Sequence, residues 1–478
     1  MKRFISILIS FCLLFGVFVV QDAFGENAPT IVDSLGNDPW LTYGHDEMST
    51  GMSMVDLGDD FEEAEDWPFD SDGGQAQKLC RGSVSYNGIL YTALYDGSRG
   101  GNPTELIAVE IESGEEIWRQ ESGNRLSMST PVIDTDLGLV IVASTDGFGP
   151  KGTATTSIGA FTLEDGDEEW TSESVGAISS PLTIGDGAIY FKTMYATIGE
   201  DDDDFVYKTG GAYCIKIDAE TGDVEWEVEV EGGQYLGWES PCVVVEDYVY
   251  ATTAGFAVTE QSLSIAAPAY LYCLDIESGD IEWDYTDEAG LASAICADED
   301  YVYFTRGRID PTELVVSAHT LDSGSEEWTF TKASTLSFGS VPSNNEDFVF
   351  VEEVTGKLWA IEKDSGDSNW SKGVGDTSQF ENIAVAGDYV IAYSPELSNR
   401  SYSGESDVYI LDASRRGKKV WSGKCDDVIQ HVSVYGNKIF FTGFTQVFCF
   451  ESLVPKLVVD PDAKLEEELI VRPTSEAI

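Results

Sequence analysis

The chain has 478 residues, and 86 Asp and Glu against 27 Lys and Arg give it a formal net charge of −59. Such a surface repels nucleic-acid phosphates and anionic lipid headgroups, which argues against both as partners. A hydrophobic content of 42% supplies a packed core and argues against wholesale disorder.

The first element is a leader peptide. Lys2 and Arg3 precede an apolar run from Phe4 to Val20, followed by Ala23-Phe24-Gly25. A basic start, an apolar middle and small residues two apart describe a secretory signal over residues 1–25. An uncleaved anchor is the alternative, since about 17 apolar residues is the lower limit for a spanning helix. Cys12 follows Phe11, not the small residue a lipoprotein cysteine needs. No later run is long and apolar enough to span, so the remainder is expected to be secreted or extracytoplasmic, without membrane insertion after cleavage. Charge self-repulsion of this size is best tolerated where salt screens it. A saline habitat accounts for that, and so does an ordinary acidic surface that keeps the protein soluble.

Residues 26–60 form an N-terminal leader, and one repeat organises residues 61–452. A glycine followed four residues later by tryptophan occurs seven times, at Gly114/Trp118, Gly166/Trp170, Gly222/Trp226, Gly279/Trp283, Gly324/Trp328, Gly366/Trp370 and Gly417/Trp421. Successive tryptophans stand 42 to 57 residues apart, the period of one propeller blade. Within each unit, short runs of alternating β-branched and aromatic residues lie between turn signals, as strands require. The second strand of the unit recurs eight times, from GILYTA at Gly88 to KIFFTG at Lys438. Thr130-Pro131, Ser180-Pro181 and Ser240-Pro241 precede first strands, where a missing N–H costs no ladder bond. The glycine permits a positive φ in the hairpin, and the tryptophan offers a large apolar surface to a neighbouring sheet.

The ends set the number of blades. The eighth unit, His431 to Phe450, holds only three strands. The segment FEEAEDWPFD carries Trp67 at 51 residues before Trp118, so it supplies the missing outer strand. The expected fold is all-β: an eight-bladed propeller of four-stranded antiparallel blades, the last closed by an N-terminal strand. Seven blades is the alternative if the last unit is irregular. Residues 453–478 form a C-terminal tail or linker, where Pro455 breaks from the last strand.

Seven cysteines follow the signal: Cys80, Cys214, Cys242, Cys273, Cys296, Cys425 and Cys449. Export permits disulfides, but the count is odd, the spacings are wide and no CxxC pair exists. Cys273 and Cys449 fall where other units place the small residues Ala108, Ala160, Ala318 and Ala360, so both are expected in the core.

The stretch CIKIDAETGDVEW from Cys214 to Trp226, with Asp218, Thr221, Gly222 and Trp226, resembles the tryptophan-docking repeat of the PQQ-like, or quinoprotein-type, β-propeller family. The leader WLTYGHDEMSTGMS from Trp40 is similar to the opening segment of that family, a branch of the WD40/YVTN-like propellers. The resemblance spans residues 40 to 452 and implies the fold. It fixes function less firmly, because the fold hosts enzymes and scaffolds alike. The family's dehydrogenases grip PQQ between a tryptophan and a disulfide of adjacent cysteines, with Ca²⁺ beside a catalytic aspartate. This sequence has no Cys-Cys dipeptide and lacks the long insertions that build the cofactor chamber. No catalytic residue is therefore carried over, and neither PQQ nor Ca²⁺ is expected.

Other chemistry is thin. The three histidines, His45, His319 and His431, lie in distant segments. The glycine-rich stretch from Asp96 lacks the lysine of a phosphate loop. Asp201, Asp202, Asp203 and Asp204 form the sharpest acidic cluster; they are weak metal candidates without the spacing of a calcium loop, and a solvated loop explains them better. Loop length is more informative. Second-to-third loops and inter-blade loops share one face, and the longest run over Tyr95–Thr104, Gly147–Thr156, Ala196–Gly210 and Phe256–Ala269, with a polar run Pro395–Glu405 in the seventh unit. An elaborated rim suits a partner or ligand surface, with Tyr235, Leu236 and Trp238 as candidate anchors; drift in surface loops explains the same pattern. The expectation is an exported, monomeric binding or scaffold protein that holds a protein or extracellular polymer on one propeller face, like the family's non-catalytic assembly factors. The alternatives are a PQQ-dependent dehydrogenase, another extracytoplasmic enzyme such as a polymer hydrolase, and a small-molecule binder.

Overall fold

The structure, a computed structural model, describes residues 38 to 453 apart from 56, 71–77, 97–104, 122–126, 147–154, 173–175, 179, 202–203, 233–239, 260–261, 310, 335–339, 354, 376–381 and 399–400. Its strands assemble into eight antiparallel sheets. The first strands of successive sheets touch one another in an unbroken circle that returns from the eighth sheet to the first. That circle identifies them as the inner strands of a closed eight-bladed propeller. Blade 1 runs through Lys78–Tyr86, Ile89–Asp96, Glu105–Glu110 and Glu116–Glu121, and the later blades repeat that order.

The core lies between blades, because each sheet buries both faces against its neighbours. One apolar cluster joins Ala212, Trp226 and Val230 of blade 3 to Val244, Val249 and Leu274 of blade 4. The repeated tryptophan bridges each such seam. Its indole donates to a backbone carbonyl in the next blade: Trp118 to Leu163, Trp170 to Ala219, Trp226 to Ile276, Trp283 to Leu321, Trp328 to Lys363 and Trp370 to Ala413, at 2.6 to 3.2 Å. Those carbonyls lie just ahead of the next blade's repeat glycine. A Cβ built on Gly222 would fall 2.4 Å from the Trp170 ring, and one on Gly324 would fall 2.5 Å from Trp283. The glycine therefore has two duties: a positive φ, and a flat seat for the preceding blade's indole. Within its own blade the tryptophan stands opposite a small residue at Ala108↔Trp118, Ala160↔Trp170, Cys273↔Trp283, Ala318↔Trp328 and Ala360↔Trp370, whereas Lys216 faces Trp226 and Ile410 faces Trp421. Cys273 and Cys449 are both fully buried.

Blade 8 is closed from the front of the chain. Phe61–Glu63 pairs with Phe450 to Ser452, and Phe69–Asp70 pairs with Gln446 and Val447. The closing strand is in two pieces, with Trp67 and Pro68 in the interruption instead of on a continuous edge, as the sequence suggested. Proline has no N–H to give the ladder, so the pairing lapses there and resumes at Phe69. Trp67 packs on Phe440 and donates to Ile111 of blade 1. Trp421 makes the preceding seam by packing on Phe61 and Phe450.

The leader does more than lead in. Trp40 pairs with Ser85 of blade 1, and the carbonyls of Leu41, Glu47, Met48, Thr50 and Gly51 accept from Ile133, Val244, Ala297, Asn344 and Val385 of blades 2, 4, 5, 6 and 7. Met52–Ser53 then adds a short parallel strand to the inner edge of blade 7, and Gly58 donates to the Ser452 hydroxyl of blade 8. Residues 40–55 and 57–58 thus form a belt inside the ring.

Three stretches expected as loops are strands. Ala188–Asp201 pairs with Asp204–Asp218 in blade 3, Tyr248–Thr259 with Ser262–Asp275 in blade 4, and Tyr389–Ser398 with Ser401–Asp412 in blade 7. The aspartate run hid the first of these, although the flanking ATIG and FVYKT are good strand formers.

Candidate functional site

The two faces of the ring differ. Belt carbonyls meet the inner strands beside the turns into the second strands, so the belt lies on the short-turn face. Second strands run away from those turns. The hairpins between second and third strands therefore project from the opposite face. In blades 3 and 4 the paired strands reach 12 to 15 residues, against 6 for the two in blade 6. Blade 7 is intermediate, with strands of 10 and 12 residues, and the neighbouring hairpins of blades 3 and 4 form one raised arc that blade 6 lacks.

Asp201 and Asp204 are register partners at the end of the blade 3 hairpin. Asp202 and Asp203 lie outside the described residues, as do Tyr235, Leu236 and Trp238. Among the described residues no group of His, Cys, Asp and Glu is arranged to hold a metal ion.

Beneath that face, charge is placed where an acidic chain rarely puts it. Lys192, in the second strand of blade 3, is buried and donates to the Thr252 carbonyl of blade 4 at 2.9 Å. Burial lowers its pKa to about 8. Arg306 of blade 5 is also buried. It donates to Asp287 at 2.5 Å and to the Ser317 hydroxyl at 2.7 Å, and it lies over the Phe304 ring at 4.7 Å. Asp287 accepts from Arg308 as well, at 2.7 Å. Burial pushes the Asp287 carboxyl up, but the two guanidiniums outweigh it and hold its pKa below the ordinary carboxylate value. His319 completes the cluster, bonded to Ser317 and to the Gly324 carbonyl, with burial lowering its pKa. This network joins the outer strand of blade 4 to blade 5 as a polar seam.

The other two histidines meet in the belt. His45 and His431 both pack edge-on against Trp40, with ring centroids 5.0 and 6.4 Å away. Burial opposes charge on His45, yet Asp38 and Asp46, each 3.2 Å from it, raise its pKa to about 9. Among the described residues, no carboxylate pairs with His431. Burial lowers it to about 4, and its Nε2 donates to the Tyr43 carbonyl. One imidazole is a cation and the other neutral on either side of one indole. Nothing in the chain order signals this meeting, because the two histidines are hundreds of residues apart.

A family model described as outer membrane protein assembly factor BamB matches residues 102–264 and 217–452. No curated protein matches the chain. Among solved structures, the computationally designed Ika8 protein is 12% identical with a TM-score of 0.55, covering 81% of this chain and 98% of that one. BamB from Moraxella catarrhalis is 12% identical with a TM-score of 0.50, covering 83% of this chain and 99% of that one. The quinohemoprotein alcohol dehydrogenase ADHIIG from Pseudomonas putida HK5 is 10% identical with a TM-score of 0.45, covering 87% and 80%. At these identities the first two likenesses speak to fold alone.

Proposed function

The chain belongs to the PQQ-like β-propeller family described by outer membrane protein assembly factor BamB, and from that premise we propose that it is an exported scaffold that holds a protein on its raised face. The observation that carries this reading is the asymmetry of the ring. Blades 3 and 4 lengthen neighbouring hairpins on the face away from the belt, while the belt ties the other face down. A rigid ring with one arc of projecting hairpins presents backbone and side chains to a partner at little ordering cost. The described polar clusters are internal seams whose hydrogen bonds are spent on the protein itself. The basic first residues and apolar run of the sequence, together with the assembly-factor family, support an extracytoplasmic setting for this work. The protein acts as a monomer that binds without turnover and needs neither PQQ nor Ca²⁺.

The test is affinity capture from the native envelope with the intact protein and with a variant whose blade 3 and blade 4 hairpins are cut to the length of blade 6. A partner retained by the first and lost by the second supports the reading; equal capture by both refutes it. Addition of PQQ and Ca²⁺, followed by a dye-linked alcohol oxidation assay, tests the enzymatic alternative. Turnover there would replace the scaffold.

A further inference from the structure

The seam between blades 3 and 4 holds two thiols that the repeat does not call for. Cys214 stands eight residues before the repeat glycine, where the other units carry Leu106, Ile158, Leu271, Val316, Leu358 and Tyr409. Cys242 follows a Ser-Pro pair, where blades 2 and 3 carry Val132 and Leu182 after Thr-Pro and Ser-Pro. Bulky residues are thus replaced by cysteine at two positions bordering one seam.

Strand alternation aims the two at each other. Cys214 packs in the cluster shared with blade 4, while its neighbour Ile215 packs toward blade 2. Cys242 packs with Val244 toward blade 3, while Val243 and Val245 pack toward blade 5. Both thiols are free and buried, and they lie close enough to interact directly. Lys192 is the register partner of Cys214 and reaches across the same seam to Thr252. Contact with Cys214 lowers the pKa of the Cys242 thiol, and the Lys192 ammonium lowers it further against the effect of burial. Contact with Cys242 and burial raise that of Cys214.

We propose that Cys214 and Cys242 close into a disulfide that staples blade 3 to blade 4 when the chain folds in an oxidising compartment. The proposal rests on the export reading for its biological setting, although the pairing itself does not. The oxidant is a small-molecule or protein disulfide. One of the two cysteines, as its thiolate, attacks one of the oxidant's sulfurs, forming a mixed disulfide and releasing the first thiol. The other cysteine then gives up its proton and displaces the second. The two cysteines lose two electrons and two protons, and the oxidant takes them up as two thiols. Closure belongs to folding, before the seam is buried. It locks a loop that contains the outer strand Val224–Val230 and with it the docking residue Trp226.

The chain is refolded from the reduced, denatured state in a glutathione buffer at an extracytoplasmic potential, alkylated, digested and mapped by mass spectrometry without reduction. The expected product is a peptide pair linking Cys214 to Cys242 that disappears on reduction. Both residues alkylated, or either joined to a different cysteine, overturns the proposal. Because the potential is set in the tube, such a failure counts against the thiol pair and leaves the export reading untouched. The oxidised protein is also expected to melt about 4 °C above the reduced protein, a difference absent from Cys214→Ala/Cys242→Ala. No difference in the wild type, or the same difference in the double variant, overturns the staple; the mapping needs no variant to fold.

Discussion

The indole nitrogen of Trp67 lies 3.2 Å from the carbonyl oxygen of Ile111, and this bond fastens blade 8 to blade 1 as the repeat tryptophans fasten the other seams. A residue from the front of the chain thereby completes its last blade. Trp67→Ala is expected to cost about 3–5 kcal/mol, the range for truncating a buried tryptophan. Trp226→Ala should cost a similar amount, since both indoles are buried against the next blade. Chemical denaturation of the two variants checks this. A Trp67→Ala protein as stable as the wild type would mean that the ring is held shut elsewhere.

Two glycines with almost the same backbone separate the two duties of that residue. Gly138 has φ 68° and open space around its missing Cβ, whereas Gly222 has φ 76° and the Trp170 ring at 2.4 Å. Gly138→Ala should cost about 1 kcal/mol for the left-handed backbone alone. Gly222→Ala must also displace the indole, and about 3 kcal/mol or more is expected. Equal losses in thermal or denaturant melts would remove the seat argument.

The pair of histidines around Trp40 predicts a stability maximum between two pH limits. His45 has a folded pKa of about 9, above its ordinary value of 6.5, so its contribution is complete below 6.5 and is lost as pH rises through 9. His431 has a folded pKa of about 4, below the same value, so the unfolded chain binds its proton first and stability falls as pH drops from 6.5 toward 4. Each shift corresponds to about 3 kcal/mol at its full extent. His45→Gln should flatten the alkaline limb of a stability-versus-pH curve and leave the acid limb in place. His431→Gln should do the reverse.

The polar seam between blades 4 and 5 should be uneven in its sensitivity. Asp287→Ala leaves Arg306 buried without its carboxylate, and about 3–5 kcal/mol is the expected loss. Arg308 is partly exposed, and Arg308→Ala should cost about 1 kcal/mol or less. A double-mutant cycle over Asp287 and Arg306 checks the coupling.

The ring was legible because its period and its tryptophans are local signals. Each Gly–Trp spacing repeats in phase, and Trp67 betrays the borrowed strand by the same spacing. The partnership of glycine and indole was not legible, since Gly222 serves Trp170 of the blade before and not Trp226 of its own. The belt was hidden for another reason. Its bonds to the blades come from backbone carbonyls of Leu41, Glu47, Met48, Thr50 and Gly51, which leave no side-chain pattern to read. The extended hairpins of blades 3 and 4 escaped because charge and small residues at their tips look like loop, and ladder pairing depends on both strands at once. Of the candidate rim, the hairpin strands of blades 3 and 4 are described, and Tyr235, Leu236 and Trp238 lie outside the described residues.

The bond from His431 to the Tyr43 carbonyl joins residues 388 apart in the chain. Its consequence is one of timing. The closing strands Phe61–Glu63 and Phe69–Asp70 come early in the chain and meet their ladder partner only when Gln446–Ser452 has been made, so the ring is finished last of all. Until then they are unpaired edges, an invitation to other chains. A protein assembled in this order gains from a high negative charge during the wait, because repulsion between unfinished copies keeps those open edges apart.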